Sequence, residues 1–353
     1  MKDNLRFLKV TKPNIDDLSQ GISDLYFLVH KRKLDPEYWQ WRYLNSPAGK
    51  SNLIVAVRGA RVVGQYGTLY MRLIVDGQLV VAGLMGGLCV DPVERSWYCY
   101  RGLVETNRVE TYKDKLAFCF GIAPARLMEL IKRMNVISLG CMPVCFGFLN
   151  IVHILEGRDI PYPLSLIGHL IQPVLGLCIR SKEALDFEIR SVESFDSEFD
   201  QLWQDVAQKR IVRIIKNAAF LNWRYVECPM PNYICLAAYR NKRLEGFAVF
   251  CSTGLRNGAR ILEILVRDDN PEIMKALLVK ALQQLRLKKI GCITASFAKD
   301  SPEAAVLKKL GFKFWDIKSE PTHILITVKD LKETSLTLEL RNWNLSLGDW
   351  EEH

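Results

Sequence analysis

None of the ten cysteines stands at C-x-x-C spacing from another, and the five histidines lie far apart in the chain. Zinc ribbons, redox dithiols and histidine-rich metal centres are excluded by that spacing, and no metal ligand set is expected. The cysteines fall mostly within apolar runs, as reduced core residues of a cytoplasmic protein do, and not in a disulfide framework. Basic residues occur in short scattered clusters such as Lys31-Arg32-Lys33 and Lys308-Lys309, without interleaved aromatics, so a nucleic-acid partner is not expected. No apolar run reaches the roughly 20 uninterrupted residues of a membrane span. Residues 1–10 carry charges through their apolar positions and do not read as a secretory leader.

What is present is a globular composition written twice. The 353 residues are 49% hydrophobic and 25% charged, enough for two cores of ordinary size, and the formal charge of +9 suits an anionic or phosphorylated small-molecule partner. Trp41-Arg42-Tyr43, Pro47, Arg58, Arg61 and Gly64 recur as Trp223-Arg224-Tyr225, Pro229, Arg240, Arg243 and Gly246, each pair 182 positions apart, as from 41 to 223. The chain therefore reads as a tandem duplication. It divides into a first lobe at 1–140, an apolar, proline-rich connector at 141–185 and a second lobe at 186–353.

Each lobe parses into the same order. In the first, strands are expected at 53–57, 62–74, 79–84 and 87–90, with Asp76-Gly77 closing a hairpin. A helix follows at 98–115, a strand at 116–120 and a helix at 124–134. The second lobe repeats this with strands at 233–239, 244–252 and 260–266, a turn at 256–258, a helix at 271–287, a strand at 292–297 and a helix at 302–310 stopped by Gly311. The fold class is α+β: two lobes, each a mixed, mainly antiparallel sheet flanked by helices.

This order, with Ala305-Val306-Leu307-Lys308-Lys309-Leu310-Gly311-Phe312 at the end of the second lobe and Leu130-Ile131-Lys132-Arg133-Met134-Asn135-Val136 at the end of the first, resembles the Gcn5-related N-acetyltransferase (GNAT) superfamily. Leu88-Cys89-Val90-Asp91-Pro92 is similar to that superfamily's central strand and its exit. The doubling is similar to tandem enzymes of this fold such as mycothiol synthase and N-myristoyltransferase. The resemblance implies an enzyme that transfers an acetyl or longer acyl group from acyl-CoA, as co-substrate, to a primary amine. Two rivals are a catalytically inactive two-lobed binding protein and an aminoacyl-tRNA-dependent transferase of the peptidoglycan type.

The resemblance also says where to look. Pantetheine would pair with the backbone at Leu88, Cys89 and Val90, and pyrophosphate would lie on the loop holding Arg95, Ser96, Trp97 and Arg101. The usual glycine-rich cradle is missing from both lobes, and Tyr98 and Tyr100 stand where small residues are expected. The second lobe offers Asp268, Asp269 and Glu272 at the equivalent place, where carboxylates compete with phosphate for amides and dipole. Acyl-CoA is accordingly expected in the first lobe. The last-helix tyrosine that protonates the leaving thiolate is replaced by Leu307 and Ile131, leaving Tyr98, Cys99 and Tyr100 as substitutes. Glu263, within an apolar strand, is the candidate base if buried, or a solvated-face residue if not. The Trp-Arg-Tyr triplet reads either as a substrate-facing pair or as a helix anchor, and its retention in both lobes favours the anchor. Residues 162–179 of the connector are an interfacial segment, a lid over an apolar substrate, or a peripheral membrane contact.

Overall fold

The computed structural model describes residues 5–124, 127–129, 136–156, 171–172, 177, 187–207, 211–230, 233–253, 258–298, 300–315, 322–328 and 335–349. Its first lobe begins with β1 (Arg6–Lys9), α1 (Ile15–His30) and α2 (Glu37–Leu44). The strands β2 (Asn52–Arg58), β3 (Arg61–Val75) and β4 (Gln78–Val90) follow, then α3 (Trp97–Lys113), β5 (Phe118–Pro124) and β6 (Ile137–Cys141). After β7 (Val144–Phe148) and α4 (Ile151–Glu156), the order starts again with β8 (Glu188–Ser191), α5 (Ser197–Ala207), β9 (Val212–Ile214) and α6 (Ala218–Tyr225). The second lobe continues through β10 (Tyr233–Arg240), β11 (Arg243–Ser252), β12 (Gly258–Val266), α7 (Pro271–Leu287) and β13 (Cys292–Ser296). It ends with α8 (Pro302–Lys309), β14 (Lys313–Trp315) and β15 (Thr322–Val328), and β16 (Trp343–Asn344) lies in the C-terminal stretch.

Local chemistry explains most boundaries. Asp76 and Gly77 both have positive φ, 48° and 76°, the turn that joins twisted antiparallel strands without splaying them. α7 begins with proline at its first position, and the Asn270 side chain accepts from the amides of Glu272 (2.9 Å) and Ile273 (3.4 Å). α8 stops just before Gly311, whose φ of 96° breaks the helix. Two expectations need correction. The strands expected at 79–84 and 87–90 are one strand, β4, interrupted by a bulge in which Tyr66 alone faces Gly87 and Leu88. The strand expected at 116–120 runs at 118–124. Most of the helix expected at 124–134, residues 256–257 of the expected turn and most of 162–179 lie outside the described residues, and Gly258 already belongs to β12.

Neither sheet is made of one contiguous stretch. The first has the order β1-β2-β3-β4-β5-β15-β6, and the second reads β8-β10-β11-β12-β13-β7-β14 from its opposite edge. Each lobe thus completes its sheet with a strand from the other end of the chain: β15 pairs with β5 and β6, and β7 pairs with β13 and β14. In both sheets the fourth and fifth strands run parallel and the other pairs along the main path are antiparallel. β9 and β16 form a parallel pair attached to β3, which carries second-lobe chain onto the first sheet.

The duplicated triplet is where the lobes meet. Trp41 and Trp223 stack with ring centroids 4.9 Å apart and an interplanar angle of 18°. Each indole N–H donates to the other's backbone carbonyl, Trp41 to Trp223 at 2.8 Å and Trp223 to Trp41 at 3.1 Å. Each tryptophan of the repeated triplet thus meets its counterpart 182 positions away. Both indoles belong to one apolar cluster that spans the lobes.

Candidate functional site

β4 and β5 pair in parallel only at Gly83, Leu84 and Met85. From Gly86 to Val90 the described residues supply no β5 partner, so the two strands fork toward their C-terminal ends, where ligands bind in open sheets with parallel strands. The bulge sits at the mouth of this fork. Gly87 has φ 67°, a conformation an L side chain resists, and Gly86, Gly87 and Leu88 are only half-buried. A strand edge with free backbone groups beside a glycine kink can pair with an extended amide-containing ligand and direct an N–H at a carbonyl oxygen.

The C-terminal exit of β4 leads to α3. Asp91 accepts from the Val93 amide (2.9 Å), and Ser96 caps α3 by accepting from Cys99 N (3.2 Å). No acidic residue lies in the first turn of α3. Arg95, Ser96, Trp97 and Arg101 are all exposed at this helix start, and Arg95 Nε donates to the Val90 carbonyl at 3.3 Å. Both carboxylates of the turn are paired: Arg61 meets Asp91 at 3.1 Å, and Glu94 is held by two hydrogen bonds from Arg58 (2.7 and 2.8 Å), which keep its carboxyl below the usual range. The helix start is left electropositive, as an anion requires.

The second lobe has the same fork, filled. β12 and β13 pair only at Gly258, Ala259 and Arg260. Val249 pairs with Glu263 as Gly67, 182 positions earlier, pairs with Gly86, so Glu263 stands where the first lobe has glycine. Glu263 is 1% exposed, which corrects the solvated-face expectation. It accepts from Tyr225 (3.0 Å), Ser346 (2.9 Å) and Lys216 (2.5 Å), and Lys216 also meets Asp349 at 2.9 Å. Burial raises the Glu263 carboxyl against the pull of Lys216. Burial works against the Lys216 ammonium too, but Asp349 and Glu263 outweigh it and hold the lysine above its usual pKa. At the next helix start Asp268 and Asp269 occupy a left-handed turn, and the Asn270 side chain takes two of the α7 amides.

The three candidate catalytic residues are not brought together. Cys99 has no exposed surface and packs beneath the first sheet with Val63, Val90 and Leu103, and burial pushes its thiol up to about 11. Tyr98 is 66% exposed, with its ring edge against Phe7. Glu263 is locked in the second lobe. Leu88, Cys89 and Val90 do lie along the forked part of β4, but Cys89 points into the core, its Sγ 3.9 Å from the Leu25 carbonyl of α1. The sequence reading missed Tyr66, the residue opposite the bulge. Its ring packs against the cluster beneath α3 together with Leu88 and Tyr100, and burial, with Cys119 and Tyr43 nearby, raises its hydroxyl pKa. Only the bulge register identifies it, and that register is not visible in the sequence.

No protein-family model and no curated protein sequence matches this chain. Solved structures do. An N-myristoyltransferase from Saccharomyces cerevisiae with bound myristoyl-CoA superposes with a TM-score of 0.65 at 14% identity, over 92% of this chain and 83% of that one. A Gcn5-related N-acetyltransferase from Anabaena variabilis gives 0.62 at 13% identity, over 93% and 74%. A probable N-acyltransferase from Enterococcus faecalis gives 0.61 at 10% identity, over 92% and 73%. The chain has the doubled Gcn5-related N-acetyltransferase fold.

Proposed function

We propose that this protein is an acyl-CoA-dependent N-acyltransferase whose first lobe binds the acyl-CoA and whose acceptor is a primary amine. The asymmetry of the two forks carries this reading. One is glycine-lined, half-open and next to an electropositive helix start, while the other is filled by a carboxylate, a lysine and the C-terminal segment. Pantetheine would run along the free edge of β4 at Leu88, Cys89 and Val90. The pyrophosphate would meet the first amides of α3 with Arg95, Ser96 and Arg101, and Trp97 would flank it. In the reaction the amine nitrogen forms a bond to the thioester carbon, the carbon–sulfur bond breaks, the amine gives up a proton, and the CoA thiolate takes one. Tyr66, which faces the bulge from β3, is the proton donor we assign to the thiolate. Water relays the amine proton. The bound myristoyl-CoA of the yeast neighbour and the likeness to a Gcn5-related N-acetyltransferase support the acyl-CoA part of this reading.

A thermal-shift titration with acetyl-CoA and longer acyl-CoAs, followed by transfer assays on a panel of primary amines, tests it. Binding stabilises the folded state by RT ln(1 + [L]/Kd), so a ligand at about 100 times its Kd raises stability by about 2.7 kcal/mol. Stabilisation with amide formation is the expected result. Stabilisation without transfer to any amine would leave the two-lobed binding protein, and no stabilisation by any CoA ester would favour the aminoacyl-tRNA-dependent rival.

A further inference from the structure

Gln65 has no exposed surface, and neither its Oε1 nor its Nε2 has a hydrogen-bond partner. Among the described residues no other fully buried side-chain amide leaves both ends unbonded. A buried amide end without a partner carries the full desolvation cost of that group, so the residue is expensive where it stands. The other lobe shows that the fold does not require it. The residue 182 positions on is Phe247, 1% exposed and packed edge-on against Phe195 and Phe199. Where one copy has a core ring, the copy with the open fork has an unpaired amide.

Strand register says what Gln65 faces. It lies on β3 opposite Cys89, next to the bulge at Gly87 and Leu88. Its neighbour Gly64 faces α3, since a side chain there would meet Leu103 and Cys99. Alternation therefore turns Gln65 to the α1–α2 side, the side on which Cys89 reaches Leu25. An acyl-CoA held at the start of α3 brings its thioester to the bulge from the α3 side. The nucleophile must approach the carbonyl carbon across its plane, which leaves the α1–α2 side.

We infer that Gln65 is the acceptor-binding residue of the first lobe: its Oε1 accepts an N–H from the incoming primary amine and holds the nitrogen over the bulge. This rests on the N-acyltransferase reading. Gln65 takes no proton in the step; it orients the lone pair and, when bound, satisfies its own amide.

The test uses the full chain with Gln65→Met, and Gln65→Leu as a second variant of similar size. Removing the unpaired amide should raise the thermal midpoint. Calorimetric titration should find the affinity for acetyl-CoA or a longer acyl-CoA unchanged. With the best amine of the panel, KM for the amine should rise about tenfold or more, the worth of one buried hydrogen bond, while KM for acyl-CoA stays constant. An unchanged amine KM in the stabilised variants would overturn the assignment, and a fall in stability of both would do so as well by revealing a structural partner. Wild-type protein that acylates no amine would instead overturn the transferase reading, and this one with it, before any variant is made.

Discussion

Lys216, Glu263 and Asp349 are the most consequential buried charges of the second lobe, with side-chain exposures of 8%, 2% and 0%. Removing one member of a buried ion pair leaves an uncompensated charge, so Lys216→Ala should cost about 3–5 kcal/mol in denaturant unfolding. The Lys216→Met/Glu263→Gln double variant, which removes both charges of the shorter pair, should cost less. The network also sets a pH dependence. The folded-state pKa of Lys216 is raised above its ordinary 10.5, so its stabilisation is fully present below that value. It is lost as pH rises through the higher folded value. Denaturation midpoints followed into the alkaline range should fall more steeply for wild type than for Lys216→Met. Cys99 gives a different expectation. As a packed thiol beneath the sheet it predicts that Cys99→Ala lowers stability modestly while acyl transfer, measured as released CoA, persists.

Among the elements, the glycines at the β4 bulge and the start of α3 make the first fork different from the second, where β12 shifts register beside Glu263 without a glycine. Gly87→Ala places a side chain at φ 67°, which should cost about 1 kcal/mol or more and weaken acyl-CoA binding by titration. Asn270→Ala should cost about 1 kcal/mol of stability with no change in that binding, because the α7 cap serves only its helix. Most of this was legible in the sequence. The Asp76-Gly77 hairpin and the span of α7 follow from turn and cap residues that act locally. The bulge did not, because it depends on how β3 and β4 slide past one another, and the apolar run from Leu84 to Val90 carries no mark of the slip except two glycines. Glu263 was legible as a carboxylate in an apolar strand. Its partners were not, since Lys216, Ser346 and Asp349 are brought to it by two separate stretches of chain.

For the whole molecule, the strand exchange and the Trp41–Trp223 pair make the two lobes one structure. The two-lobed architecture was readable from seven residues in register, whereas the exchange of β7 and β15 was not, because a seventh strand fits either lobe equally well by local pattern. Residues 1–148 alone would lack β15 between β5 and β6, and should be insoluble or unfolded by circular dichroism. Producing them together with residues 149–353 should restore the fold. Trp41→Ala removes a stacked ring and the hydrogen bond its own indole N–H donates, and should lower stability by about 3–5 kcal/mol in one cooperative transition. The structure of the complex with acetyl-CoA or a longer acyl-CoA decides whether the doubled fold works through its first fork. Pyrophosphate should lie on the first amides of α3 beside Arg95 and Ser96, with the thioester at Gly86 and Gly87. Pyrophosphate at Asn270, with the thioester beside Glu263, would contradict it.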